Sequence, residues 1–421
     1  MPPDHPEHRD PRIDSAPPAG HSGAKFLARN IFGFGSESLL GRIGAGIQRR
    51  PGAGLLLIAI VLGMQVSPWL YGSEDATFYM SAARSIACEG KMETFDNPSM
   101  KVLPGYSLLI APTFLLSRHP FLLISIEHWV LALVAAAGIY LWARRVCPEA
   151  AVIITILSLL NATFTYFYRR PLKEVAFLAA LVWLVNVLHW LVDARARRPV
   201  VGLSRAATCL LAGASLIRYS AMTIVPVFCL VLGYLAWRRQ ITWRRAAGIG
   251  LVVAGPATLV VAGYLFHEES IASRLNEGTY LRAMQNALGN PQVAWGDGSA
   301  GSNRYWIGFK LKLSEIWRAS IPGAFKDTAD TGPSVTIATV ARLIFAGLMF
   351  VGWWRLQRRR FDLLALMFPC YLVLYLPLAC DQGSRLMVPY LPLLMACLWF
   401  AADGRAWRTS AMTFLGIAQA A

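Results

Sequence analysis

Charge is scarce in this sequence. Of its 421 residues only 15% are Asp, Glu, Lys or Arg, while 56% are hydrophobic. A soluble domain carries about 25% charged residues, so a water-exposed globule of this size is excluded for want of polar groups to coat it. Whole stretches hold no charge at all, among them GAGLLLIAIVLGM (Gly52 to Met64) and MACLWFAA (Met395 to Ala402). A helix that is apolar all round has no wet face and belongs in lipid. Cysteine supplies no framework either. The seven are odd in number and scattered, and Cys209, Cys229, Cys370 and Cys397 sit inside apolar runs. That spacing argues against a disulfide scaffold or a zinc site and for small buried hydrophobes. No internal repeat is visible, and paired half-repeats are the mark of many transporters. A cleaved signal peptide is not expected. The first apolar run starts about fifty residues in, behind Arg49 and Arg50, and reads as an uncleaved anchor with its N-terminus inside.

What charge there is leans one way, to a formal +16. Much of the surplus lies in short clusters between apolar runs, as the positive-inside rule predicts for a membrane protein. A nucleic-acid binder would need a soluble surface to carry its basic and aromatic residues, so no nucleic-acid partner is expected. The class is therefore all-α: a polytopic transmembrane helical bundle of about ten spans.

Spans are expected at about 51–71, 121–143, 149–167, 174–192, 206–218, 221–237, 246–266, 335–354, 361–378 and 386–402. The run 206–237 is too long for one crossing and is divided at Arg218-Tyr219-Ser220. Residues 1–50 form a disordered and interfacial cytoplasmic segment, 51–266 a seven-helix module with an outer loop at 72–120, 267–333 a long outer loop, 334–402 three further spans and 403–421 a cytoplasmic tail. The apolar stretch 103–116, with Pro104, Gly105 and Pro112, either spans or only dips into the membrane. If it dips, the clusters ARARR, WRRQITWRR and RLQRRR all fall inside, which favours a re-entrant or interfacial helix.

With that topology an unusual set of cations faces outward. Arg169, Arg170, Lys173, Arg218 and Arg385 lie at the outer ends of otherwise apolar helices. A desolvated cation at that depth needs an anion, and guanidinium forks match phosphate oxygens in charge and geometry. A phosphate on a lipid carrier fits; snorkelling to headgroups, or pairing with Glu174 and Asp381, is the structural alternative. The second cluster is acidic. Ser73-Glu74-Asp75 follows the first span and opens ATFYMSAARSIACEG, an amphipathic helix for the membrane surface with Ser73 or Asp75 as its cap. Asp75 is the candidate general base, Glu74 its neighbour, and Glu93 and Asp96 are second acids. No cofactor is expected to be required, although such acids carry the oxygen ligands that Mg²⁺ or Mn²⁺ take. His189 reads as interfacial, and Tyr305 as a loop aromatic that either stacks on a sugar or anchors the loop.

The acidic pair after the first span, then Asp75-x-x-x-Tyr79-x-x-x-Ala83-Arg84, then LPGYSLLIAP (Leu103 to Pro112), resembles the first outer loop of the GT-C glycosyltransferases. The order is similar to that in protein O-mannosyltransferases and lipid A aminoarabinose transferases. Further points of likeness are the turn at Pro171, the basic turn after LLAGASLIR, and RLMVPYLPLL (Arg385 to Leu394). The resemblance implies a sugar donor on polyprenyl phosphate, inverting transfer on the outer face of a bacterial inner membrane, and a lipid, glycan or protein acceptor. It implies Asp75 as base, Lys101 near the donor phosphate, Arg218 at the end of the fifth span, and Tyr79 on the substrate loop. Arg169-Arg170-Pro171 depart from the family, which usually carries an acid before that proline. A transporter or flippase of a lipid-linked sugar is the alternative reading.

Overall fold

The computed structural model describes residues 46, 50–70, 72–95, 103–193, 200–275, 312–316, 319–320, 334–359, 361–375, 383–402 and 412. The regular elements among them are all helical, with no strand. In chain order the longer elements are α1 (Pro51–Gly63), α2 (Glu74–Glu89), α3 (Pro104–Leu116), α4 (Phe121–Val146), α5 (Ala151–Leu159), α6 (Ala162–Tyr168), α7 (Glu174–Asp193), α8 (Val200–Ile217), α9 (Ile224–Trp237), α10 (Trp243–Leu275), α11 (Ser334–Arg359), α12 (Leu363–Tyr375) and α13 (Leu391–Ala401). A 3₁₀ turn, Gly383–Tyr390, leads into α13.

By length and apolar composition five described helices can cross a membrane: α4, α7, α8, α10, and α9 with the turn before it. The bent pair α5–α6 makes a sixth. α1, α3, α12 and α13 are apolar but shorter, so a count of ten crossings is not reached among the described residues. The protein is nevertheless membrane-embedded. Leu230, Leu251 and Leu259 are each more than 70% exposed, and side chains of that kind at that exposure need lipid rather than water beside them.

One expected span differs in detail. The single span 149–167 is broken by 52°. Asn161 sits in the break, accepts from the Thr163 N–H at 2.8 Å to start α6, and donates to the Ala319 carbonyl at 2.8 Å. Its side chain thus takes over a cap that a continuous helix would not need. α3 has 13 residues, about 20 Å at 1.5 Å per residue, short of the roughly 30 Å hydrocarbon core. It packs along α2 and against the C-terminal half of α8. Gly105 makes the second contact possible: a Cβ there would lie 2.7 Å from the backbone of Leu216 and Ile217. The division at Arg218 holds. α8 stops at Ile217, Arg218 is extended, and a 3₁₀ turn (Tyr219–Thr223) starts the next span.

α7 is the central post, with most of its side chains buried, and it packs on α4 and α8. At the end rich in Arg144, Arg145, Arg238, Arg244, Arg358 and Arg359, one buried acid joins four helices. Asp362 is 1% exposed. Its Oδ2 accepts from the Trp142 indole N–H at 2.9 Å and meets His189 Nε2 at 3.1 Å. Its Oδ1 caps α12 through the Ala365 N–H at 2.9 Å, and its backbone neighbours the Gln357 amide of α11. His189 is therefore buried and hydrogen-bonded, not interfacial as the sequence suggested. Only the tertiary fold brings the acid to it. Asp362→Ala leaves three buried donors, on Trp142, His189 and the Ala365 backbone, without their acceptor, at about 1–3 kcal/mol each. It is expected to lower the unfolding temperature in detergent well below that of Asp362→Asn, which keeps an acceptor oxygen. Equal melting of the two variants would show the network to be dispensable.

Candidate functional site

The opposite end of the bundle gathers five charged side chains from four parts of the chain. α2 supplies the first. Ser73 is its cap, accepting from the Ala76 N–H at 3.2 Å, so Asp75 is released from capping and sits in the first turn. The helix ends at Gly90, whose φ of +66° is a left-handed conformation that costs glycine little. The turn after α6 supplies the next two. The Leu172 N–H bonds to Arg170 O at 2.7 Å, and Lys173 O accepts from Phe177 N–H at 2.8 Å to open α7. Lys173 and Glu174 thus stand at a helix N-terminus, where an acid is favoured by the helix dipole. Arg218 comes from the break after α8, and Arg385 from the turn before α13.

Arg385 ties the group together. Its Nε donates to Glu174 Oε1 and its Nη1 to Asp75 Oδ2. Glu174 is fully buried, while Asp75 is about half exposed, at 46%. A guanidinium of Arg218, itself 7% exposed, lies 4.0 Å from the same Glu174 oxygen and 5.7 Å from the Phe177 ring centroid. Oε2 of Glu174 is buried without a hydrogen bond among the described residues. The Lys173 ammonium sits 5.5 Å from the centroid of the Tyr79 ring. Tyr79 is buried, and that burial, with the Glu174 charge added, raises its phenol above the ordinary tyrosine range; it stays protonated.

A neutral ladder holds this end rigid. The Tyr79 carbonyl accepts from Ser107 Oγ at 3.2 Å, and the Tyr79 and Tyr106 rings meet edge to face at 5.2 Å. Tyr106 OH lies 2.7 Å from His128 Nε2, and His128 Nδ1 lies 3.0 Å from Tyr168 O. A carbonyl only accepts, so Nδ1 carries the proton and Nε2 accepts from the tyrosine. Tyr168 OH then donates to Leu62 O at 3.0 Å. Five helices, α1 to α4 and α6, are thereby pinned beneath the charged group.

The candidates from sequence divide as follows. Asp75, Tyr79, Arg218 and Arg385 are brought together. Arg169 is exposed at the end of α6, and Arg170 stacks at 4.1 Å on the Tyr166 ring. No ion pair links either to the group. Glu93 is half-buried just beyond α2, also without an ion pair among the described residues. Glu74 is the first residue of α2; Lys101, Asp96 and Tyr305 lie outside the described residues. No three His, Cys, Asp or Glu side chains converge among the described residues. Glu174, read from sequence only as a partner for an arginine, is the hub. Its signal was an acid at the start of an apolar span beside three cations.

No family model matches the chain, and no curated protein does. Solved structures do. ArnT from Cupriavidus metallidurans bound to undecaprenyl phosphate superposes with a TM-score of 0.52 at 14% identity, over 87% of this chain and 62% of that one. The apo form of the same protein gives 0.48 at 13% identity, over 84% and 59%. An Archaeoglobus fulgidus oligosaccharyltransferase tethered to an acceptor peptide gives 0.47 at 14%, over 87% and 53%. The chain thus shares the overall fold of the undecaprenyl-phosphate-bound ArnT and spans about 62% of its length.

Removing the shared anion tests the electrostatics of the group. Glu174→Gln leaves Arg218 and Arg385 facing each other without it, and breaking a buried pair from one side costs about 3–5 kcal/mol. Thermal unfolding in detergent is expected to show that loss, and Glu174→Gln combined with Arg218→Met to recover part of it. Strict additivity of the two substitutions would contradict their coupling.

Proposed function

We propose that this protein is an inverting glycosyltransferase that moves a sugar from a polyprenyl phosphate to an acceptor on the outer face of the membrane. The observation that carries the reading is the Asp75–Arg385–Glu174 group, with Arg218 and Lys173 beside it, on a chain that shares the fold of ArnT. The undecaprenyl phosphate bound to ArnT supports a lipid phosphate as the ligand class.

The chemistry follows from the charges. An acceptor hydroxyl or amine attacks the anomeric carbon from the side opposite the phosphate, and a single displacement of that kind inverts the centre. Its proton passes to Asp75, whose Oδ1 makes no hydrogen bond among the described residues. The bond from the anomeric carbon to the phosphate oxygen breaks, and the electron pair leaves with the lipid phosphate. Arg218 and Arg385 stabilise that charge, and a fixed donor of this type contributes about 10²–10³ in rate. Guanidinium groups supply the charge a divalent ion supplies elsewhere, so the reaction as proposed requires neither Mg²⁺ nor Mn²⁺.

The reading keeps 51–266 as the module that carries the chemistry, with 267–333 outside and 334–402 returning Arg385 to it. The membrane is the inner one of a bacterium, with the arginine-rich end cytoplasmic and the reaction periplasmic. The acceptor is a lipid, a glycan or a protein. Asp75→Asn is expected to cut transfer of labelled sugar from a polyprenyl-phosphate donor by about 10²–10⁴ while the protein still binds the donor lipid. Transfer near the wild-type rate in that variant would remove Asp75 as the base.

A further inference from the structure

The cations of the group outnumber its anions. Lys173, Arg218 and Arg385 face Asp75 and Glu174, and the deficit is local. Arg385 is satisfied twice over, by Asp75 and by Glu174. Arg218 approaches the same Glu174 oxygen at 4.0 Å. The Lys173 side chain makes no ion pair and no hydrogen bond among the described residues; its ammonium lies over the face of Tyr79. That amine, half-buried and acted on by the charges of Arg218 and Arg385, has no ion-paired anion among the described residues. We propose that Lys173 is a further binding residue of this site, a third cation that closes on the ligand's phosphate beside Arg218 and Arg385. The proposal rests on the lipid-phosphate reading above.

The protonation state of this lysine sets how it works. Burial, then the charges of Arg218 and Arg385, bring its ammonium down to about 7 from the ordinary lysine value, against the pull of Glu174 and Asp75. Tyr79, the other group against it, is protonated and neutral across the same range. In the empty site the amine is therefore largely neutral above pH 7. An arriving phosphate favours the charged form and raises the lysine back toward its usual range. Binding then draws one proton from solution, and affinity falls as pH rises, by at most about tenfold per unit, because one proton is linked to one ligand. Below pH 7 the amine is already charged, and the dependence fades.

The test uses the full chain in detergent micelles and undecaprenyl phosphate as probe, between pH 7.5 and 9. A phosphate monoester has its second pKa near 6, so the probe's own titration is largely complete in this range. Calorimetry in two buffers of different ionisation enthalpy is expected to report close to one proton taken up on binding at pH 8.5. Affinity is expected to drop severalfold to tenfold from pH 7.5 to 8.5. Lys173→Met binds more weakly at pH 7.5 with a flat pH profile, whereas Lys173→Arg keeps the affinity and is equally flat. A flat wild-type profile with no buffer dependence would overturn the proposal. So would wild-type affinity and slope in Lys173→Met, and if Arg385→Ala then loses binding, the lipid-phosphate reading stands without Lys173. Failure of the wild-type protein to bind the lipid would overturn both.

Discussion

A guanidinium group inside a helical bundle this apolar needs anions within reach, and Arg385 has two, on helices far apart in the chain. Asp75 opens α2 and Glu174 opens α7; the arginine that joins them lies 310 and 211 residues further on. An ion pair between such distant segments fixes three elements at once. It also gathers charge at one end of a structure that elsewhere turns leucine and valine outward. Desolvated charge is costly unless compensated, so the buried members of this group, Glu174 and Arg218, are constrained to keep their partners. The group is also open to a competing anion. In the proposed reaction the lipid phosphate competes with Asp75 for Arg385 and frees that acid beside the place where the sugar would sit.

The rest of the bundle reads as support for that end. The tyrosine–histidine ladder from Tyr79 to Leu62 ties α1 to α4 and α6 together without any net charge. At the arginine-rich end Asp362 does the corresponding work with Trp142 and His189. One buried acid there binds α4, α7 and α12, while Arg355 donates to the last carbonyls of α13 at 3.0–3.1 Å. Both ends of the central post α7 are therefore held by hydrogen-bonded polar groups. Its length between them is held mainly by packing, with two side-chain bonds to α4: Asn186 donates to Gly138 O at 2.8 Å and Trp183 to Val134 O at 2.9 Å.

Much of this was legible in the sequence because lipid imposes a strong rule. Apolar runs announce helices, and the break at Arg218 announced itself because 206–237 is too long for one span. The bend at Asn161 did not, since Ala151 to Tyr168 reads as one apolar run; the cause is a side-chain bond to Ala319, 158 residues away. The site was legible as residue types at helix ends. Acids after the first span and arginines at the outer rim both stand out against apolar neighbours. What the sequence did not reveal is pairing, because the partners of Arg385 are set by how α2, α7 and the turn before α13 meet. That is why Glu174 was underrated, and why Arg169 and Arg170, alike in type and position, do not join. Asp362 falls within the expected span 361–378 and drew no notice there, because its partners Trp142 and His189 come from distant helices.

The most direct measurement is a structure of the protein in a lipid nanodisc with undecaprenyl phosphate. The phosphate is expected between Arg218 and Arg385, within hydrogen-bond reach of both, with Asp75 no longer bound to Arg385. A phosphate seated at the arginine-rich end, or held at the lipid-facing surface while the Asp75–Arg385–Glu174 group stays intact, would contradict the account.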